Sequence, residues 1–245
     1  MNPASGQSPA ALFAAHAARA AQLSPEAGRY WDRHCGRFAY VLQFLDRHER
    51  ARTTRVLDVG ASFQTSLMAE SFPAWQVDTL GLGRDHRFVL PPPSRHFDFD
   101  LNGAAEHAAW PAFPDRYDLI VFMEVIEHLV TPPQRVLEFL AAQLAPGGRI
   151  LLTTPNAAWL KNRLKLLCGH NPFELLRDDR GGHIREYTLA ELEAAARAAG
   201  LTVPTAQRRG LYRFSGAKDR LYSALADATL PGLRRTIFLV LQRPA

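Results

Sequence analysis

The sequence has little cysteine. Its 245 residues include two, Cys35 and Cys168, which supply neither a disulfide framework nor a paired metal knuckle and suit a reducing, cytoplasmic compartment. Also missing is any apolar run near the roughly 18 residues that a membrane-crossing helix requires, so no integral membrane segment is expected and any membrane contact is peripheral. The opening stretch, MNPASGQSPAALFAAHAARAAQL, lacks the basic start of an export signal. No GxGxxG follows the first β-like run, which argues against a nicotinamide dehydrogenase.

What is present is ordinary globular material, 47% hydrophobic and 22% charged, enough for one large α/β core. Charge is uneven: residues 1–144 carry 13 Lys+Arg against 16 Asp+Glu, and residues 145–245 carry 16 against 8. A basic C-terminal half suits an anionic small molecule, an RNA or an acidic lipid surface, or is simply solvated surface.

The stretch Tyr117–Asn156 organises the chain. Tyr117–Met123 is a short continuous apolar run, as in a parallel strand buried on both faces. Pro132 and Pro133 open a helix with Val136, Leu137, Leu140 and Leu144 on one stripe, Pro146-Gly147-Gly148 closes it, and Arg149–Thr154 is the next strand. Between strand and helix stand Glu124, Glu127 and His128, at the carboxyl end of a strand, where open α/β sheets place ligands. Their spacing puts all three on one face of a helical turn.

Elsewhere, residues 1–23 read as a flexible arm, frayed or weakly helical, and Ser24-Pro25-Glu26 opens a helix to about His48. Arg55–Gly60 is a first strand with a helix from about Ser66 to Ser71, followed by strands at Gln76–Leu82 and Phe97–Leu101. Ala157–Leu167 is a basic amphipathic helix, Gly169–Gly182 a polar loop, Thr188-x-x-Glu191 a capping box, and Thr236–Gln242 a last strand after a helix near 217–226. Alternating strands and helices predict a doubly wound, mostly parallel sheet. A single domain over 24–245 is expected, with a lid-like insertion at about 157–187.

VLDVG at 56–60, FDFDLN at 97–102, YDLIVFMEVIEHL at 117–129, LAPGGRILLTTPN at 144–156 and HIREYTLAELEAAARAAGL at 183–201 occur in this order. Together they resemble the class I S-adenosylmethionine-dependent methyltransferases, in the branch of ubiquinone-type O-methyltransferases. The resemblance implies a seven-stranded Rossmann-like sheet with an antiparallel last strand, here with a helical N-terminal extension, and S-adenosylmethionine as cofactor. It places Asp58, Gly60, Ala61 and Ser62 by the methionine part of the cofactor, Asp100 and Leu101 by the adenine, and Met123 and Glu124 alongside. Two departures stand out. Ser62, Phe63 and Gln64 replace further glycines of the first turn, and the acidic residue that ends the second strand in the family falls here at Gly81, leaving Asp85 as its substitute.

Glu124, Glu127 and His128 then have three readings. They are wall and cap residues, or His128 is a general base for a hydroxyl with His183 nearby, or Glu124, Glu127, His128 and His183 hold a divalent ion, as in relatives with a Glu-x-x-Glu-His motif. The expected function is methyl transfer, without a metal, to a hydroxyl of a small or glycan-like molecule that could be anionic, and nucleic acid is not the expected partner. A catalytically inactive binding module is the alternative.

Overall fold

The computed structural model describes residues 8–83, 95–175, 182–213 and 216–245. Their strands form one seven-stranded sheet in the order β3-β2-β1-β4-β5-β7-β6, and the chain divides into two compact units, Met1–Asp98 with Leu211–Arg213, and Phe99–Gly210 with Phe214–Ala245.

The first unit contains α1 (Pro9–Leu23), α2 (Pro25–His48), β1 (Arg55–Val59), α3 (Phe63–Ser71), β2 (Gln76–Gly81) and β3 (His96–Asp98). β1 pairs in parallel with β2, and β2 with β3. Where the sequence suggests a flexible arm over 1–23, residues from Pro9 onward form a helix capped by the Ser8 hydroxyl. That helix buries Leu12, His16 and Ala20. Its His16 ring stacks on Trp31 and its Phe13 packs against the same indole, so aromatic contacts absent from any local pattern hold it down. Ser24 caps α2 as its sequence predicts, with Pro25 in the first turn. Residues 211–213 belong to this unit because the Leu211 carbonyl lies where a Cβ on Gly36 would meet it at 2.9 Å, and Arg213 N–H donates to the Arg33 carbonyl at 3.1 Å.

The second unit contains β4 (Tyr117–Met123), α4 (Pro133–Gln143), β5 (Leu144–Pro155), α5 (Leu160–Leu167), α6 (Leu189–Ala198), β6 (Thr202–Arg209), α7 (Ala217–Ala228) and β7 (Thr236–Gln242). β4 and β5 are parallel, joined through α4, while β7 lies antiparallel between β5 and β6. The run Ile150–Leu152 and the run Ile237–Leu241 are buried throughout, which is the continuous apolar signature of strands covered on both faces. The strand β5 begins earlier than its apolar run because the chain leaves α4 at Leu144 already extended. Gly148 is required there: a Cβ would sit 2.9 Å from both the Ala145 and Tyr117 carbonyl oxygens. The Thr188 capping box forms as read, with Glu191 reaching back to the Thr188 N–H.

Candidate active site

β4 delivers its apolar side chains to the core and then stops at Glu124, whose φ of 54° is the sole positive value among the described non-glycine residues. Such a conformation costs on the order of 1 kcal/mol and needs surrounding bonds to hold it. They come from β5. Glu124 N–H donates to the Thr153 carbonyl at 2.8 Å, and the Thr153 hydroxyl donates to Glu124 Oε1 at 2.8 Å. The parallel register that sets Met123 opposite Thr153 makes these bonds possible.

One turn later the 3-10 segment Ile126–His128 turns Glu127 inward. Its side chain is fully buried, its Oε2 accepts the Thr154 hydroxyl at 2.8 Å, and its Oε1 has no hydrogen-bond partner among the described residues. Burial, reinforced by the Glu124 charge, pushes this carboxyl up to about 8. The Glu127 main-chain carbonyl accepts N–H bonds from Ile184 at 2.8 Å and Arg185 at 3.1 Å. Those bonds bring the HIREY segment against the turn.

His128 and His183 therefore face each other, with ring centroids 5.0 Å apart at 77°. His128 Nδ1 lies 2.9 Å from the Gly182 carbonyl oxygen. A carbonyl only accepts, so Nδ1 carries the proton and the Nε2 lone pair remains available. Burial lowers the His128 pKa more than the Gly182 bond restores it, and the ring is neutral at pH 7. His183 differs: its Nδ1 is 3.2 Å from Glu186 Oε1, and that bond raises its pKa. Glu186 is fixed in turn by the Asn162 amide at 3.1 Å.

One ligand atom from each of Glu127, His128 and His183 lies within 4.8 Å of the others. Glu124, the fourth member of the acidic group read from sequence, is outside that trio and bonded to Thr153. A cavity of about 360 Å³ lies beside His183, lined by Phe173, Glu174, Ile184, Arg185 and Glu186 among others.

Asp100 and Leu101 also belong to this unit. The Asp100 carboxylate caps the short turn Leu101–Gly103 by accepting from Asn102 N–H at 2.9 Å. Asn102 Oδ1 accepts from Val130 N–H at 2.8 Å, and its carbonyl accepts the Thr131 hydroxyl at 2.6 Å. The FDFDLN segment is thus tied to the chain just after His128. Met123 is buried at the end of β4.

The first unit holds the turn after β1. Gly60 has φ 78°, and its N–H donates to the Leu80 carbonyl at 2.9 Å. The helix α3 starts at Phe63, earlier than Ser66, because Ser62 caps it: its hydroxyl accepts from Gln64 N–H at 3.2 Å and its own N–H donates to Thr65 Oγ1 at 2.9 Å. Thr65 passes its hydroxyl proton toward Asp58. Asp58 is buried, and burial outweighs both the Thr65 bond and the Arg37 charge to push its carboxyl up to about 7. It braces the turn from below through Thr65. Both side-chain amide atoms of buried Gln64 lack hydrogen-bond partners among the described residues. Gly81, with φ 155°, stands opposite Asp98 in the β2–β3 register, and Asp98 Oδ1 accepts the Gly83 N–H at 3.2 Å. Asp85 lies outside the described residues.

A family model described as a methyltransferase domain matches residues 29–206. The chain belongs to the methyltransferase domain family. It is a class I S-adenosylmethionine-dependent methyltransferase, and its relatives agree. The chain is 26% identical over 198 residues to the ubiquinone biosynthesis O-methyltransferase of Aeromonas salmonicida, covering 75% of this chain and 80% of that protein. It is 27% identical over 198 residues to the enzyme of the same name from Thiobacillus denitrificans, covering 76% and 83%. A solved S-adenosylmethionine-dependent methyltransferase from Clostridium acetobutylicum superposes with a TM-score of 0.55 at 11% identity, covering 86% of this chain and 92% of that one, which speaks for the fold.

Several residues that hold this candidate site together escaped the sequence reading. Thr153 and Thr154 fix the two glutamates, and two hydroxyls ending an apolar strand were the available signal. Glu186 orients His183, and its spacing of three residues was legible. Arg37, 2% exposed and acting on Asp58, interrupts the apolar face of α2, where its charge should have drawn notice. Neither the family match nor the relatives support the inactive-module alternative.

Proposed function

We propose that this methyltransferase methylates a hydroxyl of a small or glycan-like molecule, with His128 as the general base. The observation that carries the proposal is the His128 Nδ1 contact with the Gly182 carbonyl at 2.9 Å, which leaves Nε2 as a neutral acceptor on a ring packed against the cavity-lining His183. S-Adenosylmethionine, when bound, supplies a methyl group on a positively charged sulfur. The first turn fits the amino-acid end of that cofactor: Gly60 presents no side chain at positive φ, and the Gln64 amide lacks partners. We assign that end to Gly60, Ala61, Ser62 and Gln64, with Asp58 as the brace. Asp100 and Leu101 are assigned to the adenine, with Met123 and Glu124 alongside.

His128 Nε2 takes the proton of the acceptor hydroxyl as the oxygen gains its methyl group, and the Gly182 carbonyl stabilises the imidazolium that forms. His183, held by Glu186, borders the cavity and hydrogen-bonds or orients the acceptor. Glu127, protonated near neutrality by its burial, keeps the loop under His128 without adding a negative charge. Glu174 and Glu186 outnumber Arg185 along the cavity wall, which favours an uncharged hydroxyl over an anionic acceptor. The O-methyltransferase names of the relatives support the same nucleophile.

A second reading has one specific observation behind it. The unpartnered, buried Glu127 Oε1 and the proximity of Glu127, His128 and His183 would suit a divalent ion, whose charge would return Glu127 to its ionised form.

Labelled S-adenosylmethionine and a panel of phenols, alcohols and sugars test both. Under the base reading, His128→Ala lowers turnover by about two to four orders of magnitude, cofactor affinity stays unchanged, and chelator has no effect. Chelator inactivation reversed by added magnesium, manganese or zinc, with His183→Ala as damaging as His128→Ala, would establish the ion instead.

A further inference from the structure

We infer that α1 is a releasable strap on the first unit, and that His16 is the pH-sensitive latch holding it against α2 and α3. The strap grips by little. Leu12, His16 and Ala20 are buried, one residue per turn, with Phe13 half-buried beside them, while Ala11, Ala14, Ala15 and Ala18 face solvent. So narrow a stripe leaves most of the helix outside any core. Its central member is a histidine with no exposure at all, where a surface helix ordinarily places an aliphatic side chain.

The ring is seated for its neutral form. Nε2 lies 3.2 Å from Glu70 Oε1 on α3, and since a carboxylate only accepts, Nε2 carries the proton. Nδ1 is buried and has no hydrogen-bond partner among the described residues. The imidazole lies flat on the Trp31 indole of α2, with centroids 5.8 Å apart at 16°. Protonation puts an N–H on Nδ1 where no acceptor faces it among those residues, and a charge where water is excluded. Burial lowers the His16 pKa; Glu70 pulls it up, and Arg19 of α1, which shares the same carboxylate at 3.5 Å, pushes it down. From α2 the ring meets the uncharged indole. The seated helix therefore binds fewer protons here than the released one, so the hold is complete above about pH 6.5 and weakens as pH falls below it.

The fold supplies a joint. One residue, Ser24, separates α1 from α2 in extended conformation, and its hydroxyl caps α2 by accepting from Ala27 N–H at 3.0 Å. The helix α1 can lift while α2 keeps its cap. The strap reaches α3 at both ends, Glu70 directly and Phe63 through Trp31, whose indole packs edge-on against the phenyl ring at 5.5 Å and 88°. Phe63 directly follows the Ser62 cap. His16 is thus a positioning residue for the turn proposed to take S-adenosylmethionine. That last link rests on the assignment of the turn, whereas the latch itself depends on neither cofactor, acceptor nor His128.

Hydrogen exchange of the full chain without cofactor, followed from about pH 7.5 to 5 and corrected for the intrinsic rate at each pH, tests the latch. Amides 12–23 should lose about tenfold or more of their protection across that range while α2 keeps its own. In His16→Phe, whose ring can stack on Trp31 but cannot titrate, α1 should stay protected throughout. Glu70→Gln keeps an acceptor for Nε2 and removes the charge that favours the imidazolium, so it should move the transition to lower pH. A merely structural contact would leave the midpoint in place. Protection of α1 that is independent of pH in the wild type overturns the inference, as does an unaltered pH dependence in His16→Phe. Simultaneous loss of α2 would mean that the unit unfolds as a whole, and overturns it too. If His16→Phe leaves α1 open at every pH, Glu70→Gln decides, and an unmoved midpoint overturns the latch. Titration with S-adenosylmethionine over the same range reads the turn: affinity should fall by about tenfold more in the wild type than in His16→Phe, with Asp58 titrating alike in both. An equal fall removes the positioning role, whereas unchanged affinity in Gly60→Val removes the assignment of the turn instead.

Discussion

At Glu127 a carboxyl has been placed where its charge is disfavoured, and stability should register it. Its folded pKa is raised to about 8 from an unfolded value of about 4.3. Between those values the native state binds more protons than the unfolded chain, so this group's contribution to stability falls as pH rises through the window and is constant above it. Glu127→Gln keeps an oxygen for the Thr154 hydroxyl and removes the titration. The variant should gain on the wild type as pH rises from 5 to 9, by an amount on the order of a few kcal/mol, read from thermal unfolding at a series of pH values. A constant difference across the series would mean that Glu127 is ionised throughout. His128 shifts the other way: burial lowers it below the ordinary imidazole value, so the acidic limb of the pH–rate profile should fall below about 6.5. Of these residue-scale features, the sequence showed the identities Glu124, Glu127, His128 and His183. It did not show which carboxylate would be buried, because that depends on Thr153 and Thr154 from a strand 27–29 residues away.

Among the elements, the turn after β1 and the start of β5 are two places where backbone geometry limits substitution. Gly60→Val should abolish S-adenosylmethionine binding in a calorimetric titration, since a β-branched residue resists φ 78° and would put a side chain into the cofactor site proposed for this turn. Unchanged affinity would remove this turn from the cofactor site. Gly148→Ala should destabilise by about 1–3 kcal/mol in denaturant unfolding, because both atoms nearest the added Cβ are backbone carbonyl oxygens at 2.9 Å that cannot swing aside. Thr188→Ala should cost about 1 kcal/mol through loss of the capping box of α6. Elements with a local signature were legible in sequence: β4 from its apolar run, α6 from Thr188 and Glu191, β7 from its hydrophobicity. The early start of α3 was missed because Ser62 was weighed as a departure from glycine and not as a cap. The anchoring of helix α1 was missed because its anchors, His16 on Trp31 and on Glu70, come from other parts of the chain.

Across the whole molecule, strand order and the antiparallel last strand follow from motif order, which is why the fold could be stated from sequence. The chemistry could be narrowed only so far: a hydroxyl acceptor and a divalent ion both fit Glu-x-x-Glu-His, and both are served by the His128 tautomer that the Gly182 carbonyl sets, which no sequence motif encodes. The account of this methyltransferase therefore rests on the protonation state of one ring. Histidine labelled with ¹⁵N, with His128→Ala for assignment, measures it directly by NMR in the absence of acceptor. The account predicts a neutral His128 at pH 7, protonated on Nδ1, with a pKa below about 6.5 and a spectrum unchanged by chelator. A ring protonated on Nε2, or doubly protonated at pH 7, would contradict it.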